Sequence, residues 1–508
     1  MNTYLGQKGY TIPKSELSQE QISTIKKDLS IKPFVPGAPK TNINVTFPAY
    51  RESPLKLYVP HYYGVEHFGE PRTLKIKDGD PLNEKVQFSG SLRDKIQITT
   101  SDTYVDHVTK KGYGGGLIEL ACGMGKTVIG LNIISRLRKK TLIIVHKEFL
   151  MNQWIERIEQ FLPEAKVGKI QGSKIDSDEK DIVIGMLQSL SMKEYESSVF
   201  DSFGLTIIDE VHHISSEVFS NSLFKIVTKY MLGLSATMNR KDGTTRVFKM
   251  FLGPILFKGK REEQFDVEVR GIEYQARDEQ FNEVATDFRG NVAFSTMISK
   301  LCSYNRRSEF ILEVLEDLFI ENPEQQVMIL AHNKSLLKYL YDAVEHRKIA
   351  DGSVGYYVGG MKEAALKETE SKRVVIATYA MAAEALDIKT LSTLIMATPK
   401  TDIEQSVGRI LREKHKQPIV VDIIDSHEPF KKQWFKRKQF YKKENYKVTY
   451  TTSDGYLRDK LFGNNSNTNT CKVNVNAIEE PNGEQEEEEQ SLSQDKNICL
   501  IPSIKKST

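Results

Sequence analysis

Lys126 sits between Gly125 and Thr127 in the stretch "ELACGMGKTV" (119–128), with Gly123 two residues ahead of Gly125. A lysine and a hydroxyl behind two closely spaced glycines suit phosphate chemistry. The glycines let backbone N–H groups come close to an anion, the ammonium reaches β- and γ-phosphates, and the hydroxyl can bind Mg²⁺. "GLIEL" before the loop reads as a strand and "TVIGLNIISRL" after it as a helix with one apolar face, so the loop is expected at a helix N-terminus. Leu120 stands where the usual pattern has its first glycine, at the end of the incoming strand, where a side chain is tolerated. Cys122, Gly123, Met124, Gly125, Lys126 and Thr127 are therefore the expected ATP-binding loop. The plainer reading is a glycine turn carrying a surface lysine.

Two further stretches weigh against the plainer reading. "LTIIDEVHH" places Asp209 and Glu210 just past an apolar strand. There Asp209 can share Mg²⁺ with Thr127, and Glu210 can orient and deprotonate an attacking water. Acids commonly end strands, so the pair alone decides little. His212 and His213 lack further ligands at metal spacing and read as part of the same switch region. "QSVGRILR" offers Gln405, Gly408, Arg409 and Arg412. On an α-helix these share one face, a stripe with two guanidiniums able to stabilise charge building on a γ-phosphate.

These residues need parallel sheets to hold them. "GLIEL", "TLIIVH", "DIVIGML", "LTIIDE" and "MLGLSAT" form one series of short apolar runs. "QVMILAH", "GYYVGG", "RVVIATY", "TLIMATP" and "PIVVDII" form a second. Apolar runs of this length between amphipathic stretches predict βαβ units, hence an α/β chain with two tandem doubly wound parallel sheets. The expected organisation is an accessory region over 1–89, a first lobe over 90–258, a connection over 259–299, a second lobe over 300–450, and a C-terminal extension over 451–508. From about residue 463, "GNNSNTNT" and "EEPNGEQEEEEQ" are too polar to repay ordering, so an acidic, disordered tail is expected.

Composition narrows the class. With 508 residues, more than one core is expected, and no run is long and apolar enough to cross a bilayer. Four scattered cysteines point to neither a disulfide framework nor a zinc site and favour a reducing compartment. The net charge of +3 hides eight acids against four lysines in residues 464–508, which leaves +7 on the rest. That excess is compatible with a polyanionic partner. The stretch 431–447, "KKQWFKRKQFYKKENYK", interleaves cations with aromatics. It suits a single strand, although Phe435 and Tyr441 read better as helix residues packing on the second lobe, with lysines facing water.

Over residues 90–450 the chain resembles the superfamily 2 helicases and translocases. "LACGMGKT" resembles motif I, "VHKEFLMNQW" motif Ia, "MLQSL" the strand-contacting motif after it, and "DEVHH" motif II. "LSAT" resembles motif III, "ILAHNKSLL" motif IV, "ATYAMAAEALD" motif V and "QSVGRILR" motif VI. The order is most similar to an XPB-like branch that includes the helicases of large DNA viruses, among them a poxvirus transcript-release helicase and asfarvirus and giant-virus relatives. The resemblance implies ATP- and Mg²⁺-dependent, 3′-to-5′ movement on nucleic acid, DNA before RNA. It also implies a role in viral transcription or genome processing, a viral RNA polymerase or transcription factors as partners, no membrane, and a place in the host-cytoplasm viral factory or the virion. By the same resemblance Asp387 joins the nucleotide site and Gln405 the catalytic set. Ser235, Ala236 and Thr237 would couple the two activities, and Lys147, Gln188, Ser189, Asn333, Lys334 and Thr378 would contact the strand. Three positions depart from the pattern: Ala385 where motif V often has glycine, "RKD" (240–242) where XPB-type chains have Arg-Glu-Asp, and Gln97 as an adenine reader one residue too far from Arg93. The alternatives are an RNA helicase, a translocase that unwinds nothing, and a nucleic-acid-binding regulator with little ATPase.

Overall fold

A computed structural model describes residues 1–33, 46–121, 123–213, 216–240, 242–259, 265–384, 388–411, 413, 415–462 and 473–474. The chain divides near residue 261 into two compact units.

In the first unit, the strands run Lys174–Ile175, Val167–Gln171, Ile182–Met186, Thr141–Val145, Leu205–Ile208, Tyr230–Ser235, Gly114–Leu120, Ile255–Gly259 across one sheet. Every pairing is parallel except the first, at the edge. The five expected apolar runs all lie inside this sheet, and Gly114–Leu120 and Thr141–Val145 are buried along their whole length, as helices on both faces require. The helix Lys126–Leu137 presses Ile129, Ile133, Ile134 and Leu137 into that core, and Gly130 leaves room for the Trp154 ring.

Residues 1–89, in which the sequence showed no period, build a sheet of their own. Its order is Arg51–Glu52, Lys56–Val59, Gly9–Pro13, Tyr4–Gly6, Thr73–Leu74. Strands of two to five residues are too short for alternation to show. The helix Gln19–Asp28 is started by a full capping box, the Ser18 hydroxyl accepting from Gln21 N and the Gln21 side chain from Ser18 N. Leu5, Tyr10, Ile12, Leu57 and Val59 join Phe219, Phe224, Phe248 and Phe251 in one continuous apolar cluster. Tyr62 ties the region to the strand Gly114–Leu120, its hydroxyl donating to Gly115 O (2.9 Å) and accepting from Gly115 N (2.7 Å).

The second unit carries the order Val354–Tyr357, Val374–Thr378, Gln326–Ala331, Leu391–Met396, Ile419–Asp425, Glu268–Tyr274, Lys447–Thr452, Val473–Asn474. All pairs are parallel but the last. Two of these strands correct the sequence reading. Glu268–Tyr274, expected in the connection between lobes, pairs along its full length with Ile419–Asp425 and belongs inside this sheet. Lys447–Thr452 extends the sheet, and the helix Ser453–Phe462 continues from it. The expected disordered tail lies outside the described residues, apart from 473–474. No helix among the described residues is long and apolar enough to cross a membrane.

The basic stretch 431–447 falls mostly in the helix Glu428–Lys443. Phe430, Arg437 and Tyr441 face inward, and Trp434 fills the space left by Gly271. Phe435, expected to pack, is instead exposed, with the Lys438 ammonium 5.4 Å from its ring centre. Arg437 is no surface cation. It is 1 % exposed, and its Nε and Nη2 reach the two Asp422 oxygens at 2.7 and 2.8 Å.

Candidate functional site

The expected functional residues of the first unit gather at one edge of its sheet. The loop after Gly114–Leu120, the acids after Leu205–Ile208, Ser235 closing Tyr230–Ser235, Lys147 after Thr141–Val145 and Gln188 after Ile182–Met186 all stand at C-terminal strand ends. Ligands of open α/β sheets bind at this edge.

The loop is shaped by its glycines. Gly123 (φ 78°) and Gly125 (φ 81°) occupy left-handed backbone that a side chain would strain, and Gly125 caps the helix that starts at Lys126. A Cβ on Gly125 would also stand 2.3 Å from the Gln97 amide nitrogen. Gln97 is buried against the loop. Its Nε2 donates to Met124 O (3.0 Å) and its Oε1 accepts from Arg93 N (2.8 Å), so the amide ties this turn to the segment just before Gln97's own helix. Lys126 Nζ lies 3.4 Å from Leu120 O and 3.4 Å from Glu210 Oε1. Cys122 lies outside the described residues, as do Asp387 and Arg412.

Asp209 is 6 % exposed and held from two sides: Trp154 Nε1 donates to its Oδ2 (2.9 Å) and Glu210 N to its Oδ1 (3.0 Å). Burial and the neighbouring Glu210 carboxylate raise its pKa to about 6, against the pull of Trp154 and Lys126. A proton therefore competes for this carboxylate at mildly acidic pH. If Asp209 holds Mg²⁺, the Mg²⁺ concentration that half-saturates ATP hydrolysis should rise as pH falls through about 6. Titrating Mg²⁺ at several pH values from 5.5 to 8 measures this, and a flat series would argue against Asp209 as the cation's carboxylate.

Glu210 adopts left-handed backbone (φ 48°), strain of the order of 1 kcal/mol that sites, rather than ordinary turns, tend to hold. The same carboxylate is 3.4 Å from His212 Nδ1. His212 Nδ1 is 2.6 Å from Ser235 Oγ, which donates to Thr237 O (2.6 Å). The His212 carbonyl accepts from Arg240 Nη1 (2.6 Å), while Arg240 Nε contacts both oxygens of Asp242 (2.9 and 3.1 Å). Burial alone would push the Asp242 carboxyl up, but its bonds to Arg240 and Thr244 bring it down to about 2. One chain of polar contacts thus runs from Lys126 through Glu210, His212 and Ser235 to the segment 237–242. Trp154 carries a part that residue types alone did not assign, whereas His212 was read as part of the switch region after the acids. A tryptophan N–H needing a buried acceptor was the signal for the first.

The other expected contacts sit at comparable positions. Gln188 Nε2 donates to His146 O (3.0 Å), Ser189 Oγ accepts from Gly172 N (2.8 Å), and burial holds the Lys147 ammonium below its usual range. In the second unit, Thr378 pairs with Ala331 at the C-terminal ends of adjacent strands, and Asn333 and Lys334 follow directly after the second of these. Asn333 Oδ1 caps the helix Lys334–His346 through Ser335 N (2.8 Å), which leaves the Lys334 side chain exposed. The motif around Gln405 differs from expectation. Glu404–Val407 is a single α-turn and Gly408–Leu411 a 3₁₀ turn, so Gln405 stands in the first and Gly408 and Arg409 in the second, where one α-helix was expected. Arg409 is buried, 5 % exposed, and Gln405 half-buried.

Residues 90–240 match the family described as "Type III restriction enzyme, res subunit". A protein of Acanthamoeba polyphaga mimivirus, provisionally named an ATP-dependent RNA helicase, is 35% identical over 447 residues, 87% of this chain and 85% of its own length. An African swine fever virus protein with the same provisional name is 29% identical over 68% of this chain and 72% of its own. A protein of Invertebrate iridescent virus 6, provisionally named a helicase, is 27% identical over 72% of this chain and 87% of its own.

Proposed function

Because the chain belongs to the superfamily 2 helicases of large DNA viruses, and is therefore an ATP-dependent nucleic-acid helicase, we propose that it moves 3′-to-5′ on DNA and serves viral transcription or genome processing. The observation that carries the motor reading is the polar chain Lys126–Glu210–His212–Ser235, because it joins the phosphate loop to a segment beyond the nucleotide site. In this reading Lys126 and the loop hold the phosphates, and Thr127 with Asp209 would hold Mg²⁺, which would neutralise phosphate charge when bound. Glu210 orients and deprotonates the water. Gln405, Arg409 and Arg412 serve the departing phosphate, Asp387 serves the nucleotide, and Ser235–Thr237 relays its state.

Lys147, Gln188, Ser189, Asn333, Lys334 and Thr378 would bind the sugar-phosphate backbone without reading bases, as befits a motor that must step along any sequence. DNA is preferred for the XPB-like order of the motifs. The names of the mimivirus and African swine fever virus relatives favour a second reading, RNA. A viral RNA polymerase or its factors as partners, and a place in the cytoplasmic viral factory or virion, belong to this proposal too. The deciding experiment measures ATP hydrolysis alone and with single-stranded DNA, duplex DNA or single-stranded RNA. Stimulation by DNA at least tenfold above RNA is the expected result, and RNA-selective stimulation would replace DNA with RNA.

A further inference from the structure

Phe288 is 91 % exposed, the most exposed large apolar side chain of the described residues. Single apolar residues on a surface are ordinary. This one is presented by a tightly bonded turn. Thr286 and Val292 form an antiparallel bridge, Asp287 N donates to Asn291 O (2.7 Å), and Ala293 N donates to Ala285 O (2.8 Å). At the tip, the Asp287 carboxylate accepts from Arg289 N (2.8 Å) and Asn291 N (2.9 Å), while Gly290 takes the left-handed position (φ 79°). Phe288 and Arg289 therefore project from a fixed hairpin, with the guanidinium 5.0 Å from the ring centre.

The hairpin is anchored beside the candidate strand contacts. Ala285 N reaches Met297 Sδ (3.1 Å), and Phe294, first residue of the next helix, packs edge-on against Phe430 (5.4 Å). Phe294, Ser295 and Ile298 of that helix line a cleft of about 370 Å³ together with His332, Asn333 and Lys334. An aromatic face suits a nucleobase, and the adjacent guanidinium suits its phosphate.

We infer that the hairpin Ala285–Ala293 is a strand-separating pin, on which Phe288 stacks against the base at the junction while Arg289 holds the adjoining phosphate. The inference rests on Asn333 and Lys334 as strand contacts, since they line the same cleft as Phe294, one residue past the hairpin. A ring that occupies the place of the lost base pair keeps the opened pair from re-forming. The motor beneath would hydrolyse ATP without it and open fewer base pairs per cycle.

The test uses the full chain with Phe288→Ala and Phe288→Trp, on tailed DNA and RNA duplexes, and records base pairs opened and ATP consumed together. Phe288→Ala should lower base pairs opened per ATP about tenfold, the loss of one stacked base, and Phe288→Trp should restore the ratio. Wild-type coupling in Phe288→Ala would overturn the pin, as would a wild-type chain that consumes ATP on single strands yet opens no duplex. Failure of the underlying reading looks different. If Asn333→Ala and Lys334→Ala leave single-strand stimulation of ATPase untouched, the cleft is not a strand path and the pin falls with it.

Discussion

Glu210→Gln should slow ATP hydrolysis by roughly 10²- to 10⁴-fold while ATP still binds within a few-fold of the wild-type affinity. The amide keeps the shape of the carboxylate, so the polar contacts toward Lys126 and His212, both at 3.4 Å, remain available. It removes the basicity needed to take a proton from water, about 3–5 kcal/mol of barrier if the carboxylate acts as base. A second signature comes from Asp209. The Glu210 carboxylate is one of the two causes raising Asp209 to about 6. Neutralising it should move Asp209 toward the ordinary carboxylate range and shift the onset of acid inhibition of Mg²⁺ binding downward in pH. Single-turnover hydrolysis and fluorescent-nucleotide binding measure the two parts. A loss below tenfold would leave Glu210 as an anchor for Lys126 and His212 rather than the base.

Arg437→Met should destabilise the second unit by about 3–5 kcal/mol, although the residue lies in the most basic stretch of the sequence. The change leaves Asp422, 1 % exposed, charged and buried without its partner. It also strips the Lys400 carbonyl of its bond from Arg437 Nη1 (2.8 Å), leaving only Tyr441 OH (3.0 Å) on the Asp422 carboxylate. Replacing both partners, as Arg437→Met with Asp422→Leu, should recover much of the loss, because two apolar groups need no hydrogen bonds. Lys436→Gln and Lys438→Gln should each change stability by no more than about 0.5 kcal/mol. Chemical denaturation followed through the second unit measures all four. A cost below 1 kcal/mol for Arg437→Met would mean that water reaches Asp422.

Where the sequence could be read, one signal was strong and local. Each of the ten apolar runs contains a strand, because a parallel strand covered by helices on both faces is mostly apolar along its length. The places of the loop after Gly114–Leu120 and of the acids after Leu205–Ile208 were legible for a related reason: sheet order brings strand ends together, and the residue types there are chemically distinctive. What escaped was information carried by partners distant in sequence. Glu268–Tyr274 alternates charge and apolar groups and reads as a connection until it is seen between Ile419–Asp425 and Lys447–Thr452. Arg437 reads as one more surface cation because its acid, Asp422, lies on a different element. The turn at Gly408–Leu411 is 3₁₀ although its sequence permits an α-helix, so the expected α-helix is confined to Glu404–Val407.

The apolar cluster joining Tyr10, Ile12, Leu57 and Val59 to Phe219, Phe224 and Phe251 bears on how this motor can be cut. A fragment starting at residue 90 would strip one side from that cluster and uncover the Gly115 backbone that Tyr62 covers. The described part of residues 1–89 is thus one wall of the ATPase unit itself. Lineages could exchange what hangs from that wall, but dropping it would require rebuilding the surface of the helices Ser216–Leu223 and Thr245–Leu252 as a polar exterior.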